Sequence, residues 1–162
     1  MEFHLSDSAA HWMAILAMDQ YAYLLANLTP QAVLVREVAA AEKVCAAGRL
    51  AILAPSALLL QLDPIPHSWQ ITSDSIAAWL ADYAGIELLV LLKSIAGVYG
   101  PDSRLLRQIA RSVLAQHDLV DACFVDNLAP ATHCWIVDGG QPERLQELLQ
   151  RGSTVGTEVL AV

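Results

Sequence analysis

The sequence predicts an α/β fold, a three-layer α/β/α sandwich with a mainly parallel central sheet. Short runs of Ile, Leu and Val alternate with helical segments along the chain, and these runs are almost continuously apolar. Strands of this kind are typical of a parallel sheet covered by helices on both faces. Apolar residues make up 56% of the chain and charged residues 16%, which also suits a sheet buried on both sides or a sizeable subunit interface.

Each element follows from a local pattern of apolar spacing and of residues that begin or end helices and strands. The predicted helices are Ser6–Leu28, a short helix ending at Ala46, Pro55–Leu62, Ser73–Tyr83, Pro101–His117 and Pro142–Leu149. The predicted strands are Ala32–Val35, Leu50–Ala54, Glu87–Leu92, Ala122–Val125, Cys134–Val137 and Thr157–Leu160. A chain of 162 residues is about one domain long, so we expect residues 1–162 to form a single domain.

Charge and hydropathy exclude several classes of protein. The net charge is −8, and nine Lys and Arg are scattered among 17 acidic residues, so no basic stripe is available for nucleic acid. No apolar run approaches the roughly 20 residues that span a bilayer. We therefore expect a cytoplasmic protein that binds neither nucleic acid nor membrane. Three cysteines, Cys45, Cys123 and Cys134, lack metal-ligand spacing and are expected to be reduced and buried.

A cluster of small polar residues precedes the helix that begins at Ser73. Thr72, Ser73, Asp74 and Ser75 lie where the first N–H groups of that helix lack partners. Hydroxyls and a carboxylate there can cap the helix. The same residues can instead form one wall of a ligand site, because open α/β sheets bind ligands at the carboxyl ends of their strands. The sequence leaves both alternatives open.

Three segments together carry a resemblance to a known family. They are "TSDSIAAWLA", "ELLVLLKSIAGVYG" and "IVDGGQPERLQELLQRGSTVGTEV". In this order they resemble the amino acid kinase family, and "LSDSAAHWMAILAMDQYAYLLA" is similar to its small archaeal-type branch associated with methanofuran biosynthesis. The resemblance implies an α/β/α sandwich with about eight strands. It also implies MgATP-dependent phosphoryl transfer to a small phosphorylated or carboxylated metabolite.

The resemblance assigns roles to individual residues. Asp74 matches the acid that organises the active-site lysines, and its neighbours Thr72 and Ser73 match residues that line the acceptor-substrate side. The turn formed by Gly97, Val98 and Tyr99 matches the turn beside the adenine nucleotide. Lys93 supplies a cation at the end of the preceding strand, either as a nucleotide contact or as a strand-end lysine that extends to solvent. No metal ligands are implied.

The sequence also departs from the family pattern. The family's first strand, with a lysine and a Gly-Gly loop, and its second glycine-rich loop are not matched, and no G-x-G-x-x-G sequence replaces them. We therefore expect a chain that lacks the usual N-terminal strands and shows at most trace ATP turnover alone. A non-catalytic structural or ligand-sensing subunit is the alternative function. The apolar first helix predicts a homodimer or larger assembly in either case.

Overall fold

The computed structural model describes residues 4–160, and this part of the chain divides into two compact units. One unit ends at Trp69 and the other begins at Gln70. The expectation of a single domain over residues 1–162 stays a prediction.

The first unit contains a long helix and a pair of parallel strands. Its elements are α1 (Asp7–Leu28), β1 (Ala32–Val35), α2 (Val38–Ala46), β2 (Leu50–Leu53) and α3 (Ser56–Leu62). The α1 helix begins where the sequence predicts, because the Ser6 side chain accepts the Ala9 N–H and caps the first turn. Strands β1 and β2 pair in parallel from Ala32–Leu50 to Val35–Leu53.

The second unit contains a four-stranded sheet. Its elements are α4 (Ser73–Tyr83), β3 (Leu88–Lys93), β4 (Gln108–Ala110), α5 (Arg111–Leu114), α6 (Phe124–Asn127), β5 (His133–Asp138), α7 (Pro142–Arg151) and β6 (Thr157–Leu160). The strand order is β3-β5-β6-β4. The pairs β3–β5 and β4–β6 are parallel, whereas β5 and β6 run antiparallel. The sheet is therefore mostly parallel, as the α/β prediction requires.

Alternate residues of β5 enter two separate cores on opposite faces of this sheet. Cys134 and Ile136 are fully buried in a core that includes Phe124 and residues of α4 and α5. Trp135 and Val137 pack on the other face with Leu148 of α7. Because side chains alternate along a strand, β5 separates two helical layers, and this unit has the predicted three-layer arrangement.

Two predicted elements between β3 and β5 are wrong. The segment predicted as a helix over Pro101–His117 forms a hairpin with a Tyr99–Leu105 bridge, followed by β4 and a short α5. Pro101 is a turn residue here, in a loop that Gly100 closes by donating its N–H to the Arg104 carbonyl at 2.9 Å. The predicted strand Ala122–Val125 instead leads into α6, because a short apolar run fits a buried helical turn as well as a strand.

Across the described residues, none of the helices combines the length and the apolar character that crossing a bilayer requires.

Candidate functional site

An ion pair lies at the carboxyl edge of the sheet in the second unit. Lys93 ends β3 and is paired in register with Asp138, which ends β5. The Lys93 Nζ donates a 2.6 Å hydrogen bond to Asp74 Oδ2 in the first turn of α4. Both side chains are largely shielded, with exposed fractions of 21% for Lys93 and 14% for Asp74. The fold thus brings together the two charged residues that the sequence singled out separately.

The start of α4 is held by a carboxylate from a distant part of the chain. Asp121 Oδ2 accepts the backbone N–H groups of Thr72 and Ser75 at 2.9 Å each and the Thr72 hydroxyl at 2.8 Å. The Ser75 hydroxyl donates to Asp121 Oδ1. Burial raises the pKa of Asp121, but the hydrogen bonds from Ser75 and Thr72 outweigh it and hold the pKa below its usual range.

The start of α4 is capped by Asp121 and not by the side chain of its own N-cap residue. The side chain of Thr72, the N-cap residue of α4, accepts no backbone N–H of the helix. Its hydroxyl donates to Asp121 instead. Asp121 supplies the negative charge that the positive end of the helix favours. Ser73, the neighbour predicted on the acceptor side, is exposed.

The predicted nucleotide-side turn follows β3 and is fixed by Thr157 of β6. The Val98 N–H donates to Thr157 Oγ1 at 2.9 Å, and the same hydroxyl donates to the Leu106 carbonyl at 2.6 Å. Gly97 has φ +154°, and a Cβ there would overlap the Thr157 side chain. Val98 is buried, whereas Tyr99 is 46% exposed. The turn is therefore rigid at Val98 and open to solvent at Tyr99.

The loop after β5 completes this edge. The Gly139 N–H donates to the Lys93 carbonyl at 2.8 Å, which ties the loop to the end of β3. Asp138 accepts the Gly140 N–H and the Gln141 side-chain amide, each at 2.8 Å. These contacts fix the Asp138 carboxylate in the loop that leads to α7. Asp138 is also the residue that pairs with Lys93 in the register of β3 and β5.

Two residues of this region, Asp121 and Asp138, were not identified as site residues from the sequence. Asp121 lies 46 residues beyond Ser75 in the chain, and nothing in its local sequence indicates a role in capping. Asp138 had a detectable signal, because it follows a buried strand and precedes two glycines, which is typical of a ligand-side loop.

In residues 4–160, no three His, Cys, Asp or Glu side chains are grouped closely enough to hold a metal ion. All three cysteines are free thiols, but the expectation that all are buried is wrong, because Cys45 is exposed and Cys123 is half-buried. Burial raises the pKa of the Cys134 thiol to about 12.

Comparison with known proteins shows the family of the chain. The model of the amino acid kinase family matches residues 4–124, which include Asp74, Lys93 and Asp121. The chain belongs to the amino acid kinase family. A relative from Methanocaldococcus jannaschii, [5-(aminomethyl)furan-3-yl]methyl phosphate kinase, is 26% identical over 173 residues. The alignment covers 98% of this chain and 74% of the relative.

A solved structure gives the same fold. UMP kinase from Ureaplasma parvum superposes with a TM-score of 0.66 at 16% sequence identity, covering 99% of this chain and 73% of the other. This likeness supports the amino acid kinase fold. It also agrees with the mostly parallel sheet of the second unit.

Proposed function

We propose that this amino acid kinase family member takes part in ATP-dependent phosphoryl transfer to a small phosphorylated or carboxylated metabolite. The observation that carries the proposal is the Lys93–Asp74 pair, with its 2.6 Å contact at the carboxyl edge of β3. Phosphoryl transfer depends on positive charge held in place around the phosphate. Asp74 holds one such cation at the edge where open α/β sheets bind ligands.

The proposed roles follow the positions of the side chains. Asp74 orients Lys93, which contacts the nucleotide phosphates, and the turn at Gly97–Tyr99 lies along the adenine nucleotide. Ser73 and Thr72 line the acceptor side. Since the Thr72 hydroxyl already donates to Asp121, its contribution comes from its methyl group and the helix start that it helps to fix.

The residues at this edge fit a nucleotide that brings its own Mg²⁺. Magnesium is commonly held by one or two carboxylates together with substrate phosphates rather than by a complete protein site. Asp74 Oδ2 accepts the hydrogen bond from Lys93, and Asp138 is the residue that pairs with this lysine in the sheet register. ATP supplies the phosphoryl group, and the chain supplies the charge that positions it.

The acceptor is proposed to be a phosphate monoester in methanofuran or a related one-carbon cofactor pathway. The name of the Methanocaldococcus jannaschii relative, a furan-methyl phosphate kinase, supports that substrate class. A net charge of −8 supports small-molecule partners rather than nucleic acid, and we propose a cytoplasmic location.

One observation favours a second candidate, a kinase-fold subunit that binds ligands without transferring phosphate. The N-terminus of α4 is a natural position for an anion, yet the Asp121 carboxylate already accepts two of its N–H groups. That carboxylate would repel a phosphate placed at the same point. Lys93 and the Gly97–Tyr99 turn would still bind a nucleotide.

Nucleotide titrations of three proteins test the proposal: wild type, Asp74→Asn and Asp82→Asn. Asp82 is an exposed acid on the same helix and serves as the matched control. We expect MgADP and MgATP to raise the melting temperature of wild type and of Asp82→Asn but not of Asp74→Asn. Absence of any nucleotide-dependent shift in wild type would overturn the proposal.

Turnover separates the two candidates. ADP formation with a panel of phosphorylated metabolites, at the ~1 to 10² per second typical of kinases, would identify the chain as a complete enzyme. Nucleotide binding with only trace turnover would identify the ligand-binding subunit.

A further inference from the structure

Three side chains of the first unit form a continuous line of hydrogen bonds. Ser8 Oγ lies 2.6 Å from His67 Nδ1, and His67 Nε2 lies 2.9 Å from Asp63 Oδ1. Ser8 is in the first turn of α1, Asp63 directly follows α3 as its C-cap residue, and His67 lies four residues further on. All three belong to the unit that ends at Trp69, whereas Lys93 and Asp74 belong to the other unit.

The chemistry of the three groups fixes the direction of these hydrogen bonds. A carboxylate only accepts, so the proton on the imidazole lies on Nε2 and is donated to Asp63. In the neutral imidazole, His67 Nδ1 then carries the lone pair and accepts from the Ser8 hydroxyl. The order is hydroxyl, base and orienting carboxylate, which is the arrangement that activates a serine nucleophile.

The surroundings hold the His67 ring in place. The His11 ring stacks on it with centroids 4.3 Å apart, and Trp12 meets it edge-on at 5.1 Å. His11 is only 8% exposed, and its Nε2 has no hydrogen-bond partner among residues 4–160. Burial and the neighbouring His67 lower the pKa of His11, which favours the neutral form of its ring.

Ser8 is exposed and lies where a developing negative charge is favoured. The Ser6 side chain takes the Ala9 N–H, and the N–H groups of the first helical turn, including that of Ser8, point out of the helix start. Ser8 is the second residue of α1, so it lies at the positive end of the helix dipole. Backbone N–H groups placed in this way stabilise the oxyanion formed in acyl transfer.

We propose that Ser8, His67 and Asp63 form a second reactive site, which acts on small activated carboxylic esters. Ser8 Oγ adds to the ester carbonyl while its proton moves to His67 Nδ1. The carbon–oxygen bond of the ester then breaks, and the alcohol leaves with that proton. Water attacks the acylated Ser8, its proton returns through His67 to the serine oxygen, and a carboxylic acid is released. Asp63 holds the imidazole in the required tautomer throughout.

Covalent labelling of the 162-residue chain with diisopropyl fluorophosphate tests the site directly. The probe forms an ester with an activated serine and releases fluoride, and peptide mass spectrometry identifies the modified residue. We expect Ser8 to react about a hundredfold faster than Ser103 and Ser112, which are exposed serines in the other unit, because a positioned base contributes at least that factor. This comparison uses only the wild-type chain, so it does not depend on how any variant folds.

Variants then assign the roles. His67→Asn keeps an amide group near the position of Nδ1 but cannot take up a proton, so labelling of Ser8 should fall about a hundredfold. Ser8→Ala should abolish both that labelling and the release of nitrophenol from p-nitrophenyl acetate. The proposal is overturned if Ser8 is labelled no faster than the two control serines, or if His67→Asn labels as fast as wild type.

Discussion

Lys93 at the end of β3 and Asp74 at the start of α4 form a 2.6 Å ion pair that is largely shielded from solvent. The two residues are 19 positions apart, and the intervening helix and turn return the chain to the same edge of the sheet. A shielded pair holds its geometry better than a surface pair, which gains little from Coulomb attraction in water. This pair is therefore the centre of the candidate site and the first target for mutation.

Asp74→Asn should lower the free energy of unfolding by about 1 to 3 kcal/mol, because it leaves the Lys93 ammonium without its charged partner. Urea denaturation measures this change. Asp82→Asn, on the exposed side of the same helix, should change stability by less than about 0.5 kcal/mol. Equal effects of the two substitutions would show that the ion pair does not stabilise the fold.

Asp121→Ala should destabilise the chain by about 1 to 2 kcal/mol, since two backbone N–H groups and two hydroxyls at the start of α4 lose their acceptor. Asp121→Asn, which keeps one acceptor oxygen, should cost less. Asp118→Asn, an exposed acid nearby in the same segment, is the control. Chemical denaturation of the three variants ranks them.

The contribution of Asp121 should also depend on pH. Its folded-state pKa is lowered, so its stabilisation is present above the unfolded-state value of about 3.9 and is lost as pH falls through the folded-state value. The difference in stability between wild type and Asp121→Ala should be full at pH 7 and should shrink steadily below about pH 4. A difference that grows in acid would contradict the assigned hydrogen bonds.

Gly97→Ala should cost about 2 to 4 kcal/mol, because it combines a backbone conformation reserved for glycine with a Cβ that overlaps Thr157. Gly48→Ala is the matched control, since its φ is +70° and no atom lies within 4 Å of the added Cβ. The control should lose only about 1 kcal/mol from backbone strain. Thermal unfolding of the pair separates strain from overlap, and similar melting temperatures would argue against the close Gly97–Thr157 approach.

The three thiols should differ widely in reactivity. Burial raises the pKa of Cys134 to about 12, which reduces its thiolate fraction about a thousandfold relative to an ordinary cysteine. Cys45 is exposed and should react first with Ellman's reagent, whereas Cys134 should react only after unfolding. Cys45→Ser should remove the fast phase and no other. Rapid modification of Cys134 in the native chain would show that its core opens readily.

We expect a dimer at micromolar concentration, formed through the outer face of α1. Met13, Leu24 and Leu28 on that face are 57%, 49% and 66% exposed. Apolar residues clustered in this way are typical of an interaction surface. In sedimentation velocity Leu24→Glu should shift the chain toward monomer, while Leu149→Glu, at an exposed leucine of α7, should leave the dimer intact. A monomeric wild type would contradict this prediction.

Much of the fold could be predicted from the sequence because its elements have strong local signals. The α4 helix, β1 and β6 have the predicted bounds, and α1 begins one residue after its capping Ser6. The segment between Tyr99 and Asn127 could not be predicted, since its short apolar runs fit a helix and a strand equally well. In this segment tertiary packing determines the secondary structure, as the full burial of Phe124 in the core shows.

The candidate site was predictable only in part. Asp74 and Lys93 were each singled out, yet their ion pair depends on how α4 returns to the end of β3. The local sequence around Asp121 does not distinguish it from other acidic loop residues, because the helix that it caps lies 46 residues away in the chain. The Ser8–His67 contact spans 59 residues and was missed for the same reason. Local patterns identify residue types, and long-range topology brings them together.

The capping of α4 by the distant Asp121 affects how this helix folds during synthesis of the chain. During synthesis α4 leaves the ribosome well before Asp121 does, so for that interval the amides of Thr72 and Ser75 have only water as an acceptor. We expect the first turn of α4 to remain frayed on the nascent chain until the segment carrying Asp121 emerges and docks. Pulsed hydrogen exchange at the Ser75 amide would show this late protection, and the edge that carries Asp74 would then be among the last parts of the second unit to acquire its final geometry.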